Sequence, residues 1–219
     1  PNNPDGQLRT PQVTGPGART VHDFAYHWPI YTPVTHTLND KVGERDVAVF
    51  TLSKLTGHAS TRIGWALVKD RVLADRVATF VSLIGMVPRE NQMRAVAVLK
   101  HARDTNYAVL EFARARMQGR WGMIKEALKA NTCYAHQAIG PPERDTWTGL
   151  SFSPAPAYLY IRCLKGGDCA AHFKEHRVLG ASGRGYGDSE DYVRLQLLMN
   201  EDTFGLLIER LRSMAAACA

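Results

Sequence analysis

The 219-residue sequence has no apolar run near the roughly eighteen residues that a membrane-spanning helix needs. No membrane span is expected. Cysteine is scarce, with Cys133, Cys163, Cys169 and Cys218 scattered so that none forms a C-x-x-C pair or a metal-type spacing. That scatter is the pattern of a reduced intracellular chain and points to the cytoplasm. The six-residue interval from Cys163 to Cys169, around Lys165-Gly166-Gly167-Asp168, also suits a small-loop disulfide in an oxidising compartment. Long basic runs and nucleic-acid motifs are missing, so the net charge of +6 reads as a surface property, with steering of an anionic substrate as the lesser alternative. The glycines of Ser182-Gly183-Arg184-Gly185-Tyr186-Gly187 lack both the strand-then-helix setting of a dinucleotide fingerprint and the spacing of a Walker loop. Among eight histidines, His172 and His176 have a ligand-like interval but no third ligand beside them. No metal site is expected.

What is present is an ordinary globular composition, 45% hydrophobic and 22% charged, enough to bury a core. Residues 1 to about 20, rich in Pro, Gly and Thr, read as a surface loop. Three apolar segments, Thr20 to Asp23, Val47 to Leu52 and Ile63 to Val68, read as interior strands of a mixed or parallel sheet. The polar residues that close these strands are the informative ones, because ligands of open α/β sheets collect at strand ends. Lys54 follows the run Val47-Ala48-Val49-Phe50, with Arg62 eight residues beyond it. An isolated lysine is usually a solvated surface charge. Here Asp23 ends another strand and Tyr26 follows it, while Asn3 sits in the turn Asn2-Asn3-Pro4-Asp5-Gly6. An amine to form a Schiff base, a cation for a phosphate, a carboxylate for a ring nitrogen and polar groups for a ring hydroxyl are what a pyridoxal phosphate enzyme requires.

The order Asn-Pro-x-Gly, Asp-x-Ala-Tyr, Ser-Lys and Arg resembles the aspartate aminotransferase class of fold-type I pyridoxal enzymes. More specifically, Ser53 to His58 and Arg62 to Asp70 resemble the plant tryptophan aminotransferase and alliinase family, as do Tyr26-His27-Trp28-Pro29, Tyr31-Thr32-Pro33-Val34 and Tyr192-Val193-Arg194-Leu195. The likeness runs from residue 1 to about 128 and resumes near 157. It implies an α/β chain of aspartate aminotransferase-like fold-type I, with part of the large-domain sheet and an α/β small domain. The boundary is expected near residue 85, giving 1–85 and 86–219. It further implies pyridoxal 5'-phosphate as cofactor, with Lys54 as the Schiff-base lysine and Asp23 facing the pyridine nitrogen. Tyr26 and Asn3 would contact the ring oxygen, Arg62 with Thr51 or Ser53 would hold phosphate, and Arg194 would bind the substrate α-carboxylate. Alternation along Tyr192 to Leu197 separates Arg194 from the apolar Val193, Leu195 and Leu197, which suits that role; the plain alternative is an exposed strand arginine.

The resemblance implies transamination between amino acid and 2-oxo acid substrates, an aromatic L-amino acid and tryptophan first, by a homodimer. A carbon–sulfur lyase of the alliinase kind is the alternative. The family's glycine- and serine-containing phosphate loop and ring-stacking aromatic belong ahead of the Asn-Pro turn, so the chain is expected to be the C-terminal portion of a longer enzyme or a truncated, non-catalytic remnant. Beyond Asp70 the pattern turns helical, with Leu110, Ala113, Met117, Trp121, Ile124 and Leu128 forming the stripe of a long helix that Gly119 and Gly122 weaken. Residues 130–157 read as loop. Ala157 to Cys163 and Tyr192 to Leu198 read as strands, Val178 to Leu179 as a short strand and Ala170 to Glu175 as a short helix. A final helix is expected to be capped by Asn200. The segment around Tyr186 is expected to be a flexible loop that reaches bound substrate, and His58 to make a structural hydrogen bond, with shaping of the phosphate turn or the proton path as the lesser alternative.

Overall fold

The computed structural model describes residues 1–13, 15–129 and 131–218. In chain order its elements begin β1 (Val21–Asp23), α1 (Leu38–Lys41), β2 (Val47–Thr51), α2 (Leu52–Leu55), β3 (Gly64–Val68), α3 (Arg71–Leu83), α4 (Arg89–Asp104) and α5 (Ala108–Ala127). They continue with β4 (Tyr134–His136), β5 (Glu143–Arg144), β6 (Ser151–Phe152), β7 (Tyr158–Cys163), α6 (Cys169–Glu175), β8 (Ala181–Ser182), β9 (Tyr192–Gln196) and α7 (Glu201–Ala216). The chain forms two compact units. One comprises Pro1, Arg9–Arg114 and Pro142–Phe152; the other comprises Asn2–Leu8, Ala115–Pro141 and 153–219.

In the first unit a three-stranded sheet runs β1-β2-β3, parallel between β1 and β2 and antiparallel between β2 and β3. Ala48 and Phe50 of β2 are buried and join Phe24 and Val42 in one apolar cluster, against which Trp28 packs. Only β2 is an interior strand. β1 and β3, expected to lie inside the sheet, are its edges, because each pairs with a single neighbour and most of their residues are exposed. Gly64 of β3 stands against the Phe50 carbonyl where any side chain would collide, so this position has to be glycine for β3 to pair there. Asp145, fully buried, accepts hydrogen bonds from Val34 N at 2.8 Å and from Thr148 N at 2.6 Å and Oγ1 at 2.8 Å. These bonds pin the 145–150 turn, which β5 and β6 close by antiparallel pairing.

The second unit has a four-stranded sheet in the order β4-β7-β9-β8 with antiparallel neighbours. Leu159 and Ile161 of β7 and Val193 and Leu195 of β9 share one buried face, while Ile124, Phe173, Phe204 and Leu211 are buried on the helices of this unit. The α5 stripe holds as expected, with Leu110, Met117, Trp121, Ile124 and Leu128 buried, and Gly119 and Gly122 do not interrupt the helix. Two expectations fail. Within the supposed loop at 130–157, Tyr134–His136 forms an edge strand, stabilised by pairing with β7 rather than by any local run. Val178 and Leu179 form no strand: Val178 is buried with its N–H bonded to Phe173 O at 2.9 Å, and the short strand lies at Ala181–Ser182 instead. Asn200 caps α7 through Thr203 N at 2.9 Å, as expected.

All four cysteines are paired, Cys133 with Cys218 and Cys163 with Cys169. The reading of four reduced thiols is corrected accordingly, since Cys133 and Cys218 are brought together by an 85-residue loop whose closure no spacing rule reveals. Closing that loop restricts the unfolded chain far more than closing the six-residue one. The chain-entropy relation gives about 4.5 kcal/mol for the long loop against about 2 for the short one. Cys218→Ser is therefore expected to lower the urea unfolding midpoint roughly twice as far as Cys169→Ser, a comparison made by denaturation without reductant.

Candidate active site

Thr51 ends β2 and turns the chain: its hydroxyl accepts from Ser53 N at 3.2 Å and starts α2, whose third residue is Lys54. A short strand-to-helix turn thereby presents Lys54 at the C-terminal end of the central strand. The buried Tyr31 donates from its phenol to Lys54 O at 3.1 Å and fixes the turn from below. Beyond α2 a 3₁₀ turn at Ala59–Thr61 ends in Arg62, which adopts left-handed backbone (φ 49°, ψ 45°) and donates from Nη1 to Ala59 O at 3.2 Å. A non-glycine residue held in that conformation costs roughly 1 kcal/mol or more.

Four of the expected site residues, Thr51, Ser53, Lys54 and Arg62, line one cavity of about 430 Å³ together with Ala59, Ile63 and Gly64. That volume falls within the roughly 300–1,000 Å³ of small-molecule sites. Lys54 Nζ lies 5.3 Å from the centroid of the Tyr26 ring, a cation–π contact that holds amine and phenol on the same side. Asp23 ends β1 at the same end of the sheet, because β1 and β2 run parallel with Asp23 opposite Val49. Its Oδ1 accepts from Ala25 N at 2.9 Å. His58 lies outside the lining and bonds through Nδ1 to Thr56 Oγ1 at 3.0 Å.

His27, next to Tyr26, stacks on Phe24 at 4.9 Å and its Nδ1 is buried without a hydrogen-bond partner. Burial pushes its pKa down to about 4, with the positive charges of Lys41 and His36 adding to the effect and Asp145 opposing it. The folded protein thus resists a proton that the unfolded chain accepts near the ordinary histidine value of 6.5. The unfolded state binds more protons across this window, so stability falls as pH drops from 6.5 towards 4, by up to about 1.4 kcal/mol per unit. Denaturation midpoints at several pH values are expected to show this slope in the native sequence and a shallower one in His27→Gln.

In the second unit Arg194 projects from β9 on the face opposite Val193 and Leu195. Nη1 donates to Asn3 Oδ1 at 2.9 Å, which joins two of the expected site residues. The guanidinium carbon lies 4.2 Å from the Tyr158 ring centroid and 4.7 Å from that of Tyr186. The segment expected to be a flexible loop is a 3₁₀ turn at Gly183–Tyr186, capped by Ser182. Tyr31 and Tyr158 were missed as contributors from the sequence. Tyr158 reaches Arg194 only through strand pairing, and the Tyr31 bond is to a main-chain atom that no side-chain pattern announces. Among the described residues no cluster of His, Cys, Asp or Glu is placed to hold a metal ion, and His172 bonds instead to the Tyr134 phenol at 2.7 Å.

The allinase family model matches residues 1–215. The chain belongs to the allinase family. Relatives within reach include tryptophan aminotransferase-related protein 2 of Oryza sativa subsp. japonica, 39% identical over 98% of this chain, and alliin lyase 2 of Allium sativum, 30% identical over 99% of it. The chain spans about half the length of the curated relatives it matches, 45% of the first of these two and 46% of the second. Among solved structures, an aminotransferase from Staphylococcus aureus superimposes with a TM-score of 0.68 at 18% identity, over all of this chain and 57% of that one. An aspartate aminotransferase from Rhodobacter sphaeroides 2.4.1 gives the same score at 18% identity over 92% of this chain and 49% of its own. This allinase family chain accordingly has the α/β fold of fold-type I pyridoxal phosphate-dependent aminotransferases. No helix among the described residues is long and apolar enough to cross a membrane.

Proposed function

We propose that this chain carries the lysine-bearing and carboxylate-binding portion of a pyridoxal phosphate-dependent aminotransferase that converts an aromatic L-amino acid, tryptophan first, to its 2-oxo acid. The observation that carries the reading is the convergence of the Lys54 amine, the Arg62 guanidinium and the Thr51 and Ser53 side chains on one cavity. This donor set fits pyridoxal phosphate: an amine for its aldehyde, a cation and hydroxyls for its phosphate, and Gly64 leaving the wall free of a side chain. When bound, the cofactor supplies an aldehyde and an electron-withdrawing ring.

The protein's own groups do the rest. Arg62, Thr51 and Ser53 would hold the phosphate, and Asp23 would favour the protonated ring nitrogen by opposing its charge. Tyr26 and Asn3 serve the ring oxygen. Lys54 Nζ would take the proton from the substrate α-carbon, and its ammonium form would then act as general acid, delivering that proton away from the α-carbon so that the 2-oxo acid forms. Arg194 receives the α-carboxylate, and two parallel hydrogen bonds from a planar guanidinium orient the α-carbon.

The tryptophan preference is supported by the higher identity to the relative named tryptophan aminotransferase-related, 39% against 30% for the alliin lyase. That lyase match supports a second reading, in which the same α-proton is removed but a β-substituent then leaves. Supplying the protein with pyridoxal phosphate and tryptophan plus pyruvate, and separately with an S-alkyl cysteine sulfoxide, tells the two apart. Indole-bearing 2-oxo acid together with alanine is the expected result. Ammonia and pyruvate released from the sulfoxide alone overturn it in favour of the lyase, and no binding of cofactor or turnover of either compound overturns both in favour of a non-catalytic chain. A homodimer belongs to the same proposal, checked by light scattering. The two disulfides support an oxidising compartment rather than the cytoplasm.

A further inference from the structure

We infer that Tyr158 and Tyr186 form an aromatic clamp that fixes the plane of the Arg194 guanidinium and leaves its Nη1–Nη2 end to receive a carboxylate. The inference rests on the reading of Arg194 as the substrate carboxylate site. Three observations carry it. Both rings lie within cation–π range of the guanidinium, at 4.2 and 4.7 Å. Nε is buried without a hydrogen-bond partner, which closes the side-on approach through Nε. One Nη1 hydrogen is spent on Asn3 Oδ1 at 2.9 Å, which orients the fork.

Each ring is itself held. Tyr158 is on β7, whose pairing sets Tyr160 opposite Arg194, so Tyr158 is the diagonal neighbour on the same face. Tyr186 closes the 3₁₀ turn that follows β8, and Ala181 of β8 pairs with Arg194 itself. Gly183 begins that turn so close to the Ser189 carbonyl and the Tyr192 side chain that no larger residue fits. The Tyr160 phenol donates to Asp188 Oδ2 at 3.1 Å and ties the far side of the turn down. A long arginine side chain would otherwise lose much rotamer freedom on meeting a carboxylate, and a guanidinium held beforehand has less to lose. Both tyrosines are positioning residues, and their effect belongs to affinity rather than to turnover.

The test uses equilibrium titration of the cofactor-loaded protein with hydrocinnamate, an aromatic monocarboxylate without an amine, and with hydrocinnamamide as its neutral counterpart. The native protein is expected to prefer the acid. Tyr158→Leu and Tyr186→Leu are each expected to reduce that preference about tenfold and to raise KM for the amino acid by a similar factor with kcat held, whereas Tyr186→Phe, which keeps the ring, retains native values. Retained acid preference in both leucine variants, combined with its loss in Arg194→Met, overturns the clamp while leaving Arg194 as the carboxylate site. Retained preference in Arg194→Met overturns the carboxylate assignment and the clamp with it. Circular dichroism of each variant separates these outcomes from misfolding, and a folded Tyr186→Phe that behaves like Tyr186→Leu also overturns the clamp.

Discussion

Lys54→Ala is expected to lower turnover by at least about three orders of magnitude, because it removes the proposed proton carrier at the substrate α-carbon, and general acid–base groups contribute roughly 10²–10⁴-fold. The same change removes the only amine among the residues lining the 430 Å³ cavity. The visible absorbance that native protein keeps after incubation with pyridoxal phosphate and desalting is therefore expected to disappear in the variant. Lys54→Arg tests whether charge alone suffices. It keeps a cation near the Tyr26 ring but supplies a group that stays protonated, so it should behave like the alanine variant. A persistent absorbance band in Lys54→Ala would show that another amine is used and would end the proposal. Folding serves as the control, since Lys54 makes its fold-defining bond through its carbonyl to Tyr31, which the substitution leaves in place.

Among substitutions that leave both disulfides intact, Arg120→Ala is expected to have a large effect on stability. Arg120 is 3% exposed, and its guanidinium donates to the carbonyls of Leu197 and Met199, reaches Glu201 and lies 4.6 Å from the Phe204 ring centroid. One side chain therefore joins the end of β9 to the first turn of α7. Truncation leaves carbonyls without a donor and opens a cavity beside Phe204, losses that together amount to about 3 kcal/mol. For a chain of this size that corresponds to roughly 6–12 °C in Tm. Arg120→Met, which fills the space without the donors, is expected to fall between the native protein and the alanine variant in urea denaturation. Glu201 is half exposed, so removing its carboxylate is expected to cost far less than removing the arginine.

Much of the candidate site's arrangement was legible because it depends on neighbours in sequence. The run Val47 to Phe50 and the residues after it specify a strand, a capped turn and a lysine within eight positions, and the structure places Thr51, Ser53, Lys54 and Arg62 around one cavity. The α5 stripe and the Asn200 cap were readable for the same reason, since helical spacing and caps depend on neighbours three and four residues apart. Partners distant in sequence were not readable. The Tyr134–His136 strand exists because β7 is beside it, and Tyr158 meets Arg194 only once β7 and β9 are in register. The same holds for Cys133 and Cys218, whose individual settings carry no sign of one another. Edge status also depends on neighbours, which is why the apolar β1 and β3 passed for interior strands.

The Cys133–Cys218 bond makes residues 134–217 a covalent ring that contains β7, β9 and α7. A protease that cuts once inside the ring, at an exposed point such as Lys165, leaves the fragments joined. Such a nicked molecule would migrate as one band without reductant and as two with it, and after a cut at Lys165 the segment bearing Arg194 stays tethered on both sides, through Cys163–Cys169 and Cys133–Cys218. Survival after a single cut is thus built into the connectivity of this half of the chain, and it lasts only as long as the surroundings remain oxidising.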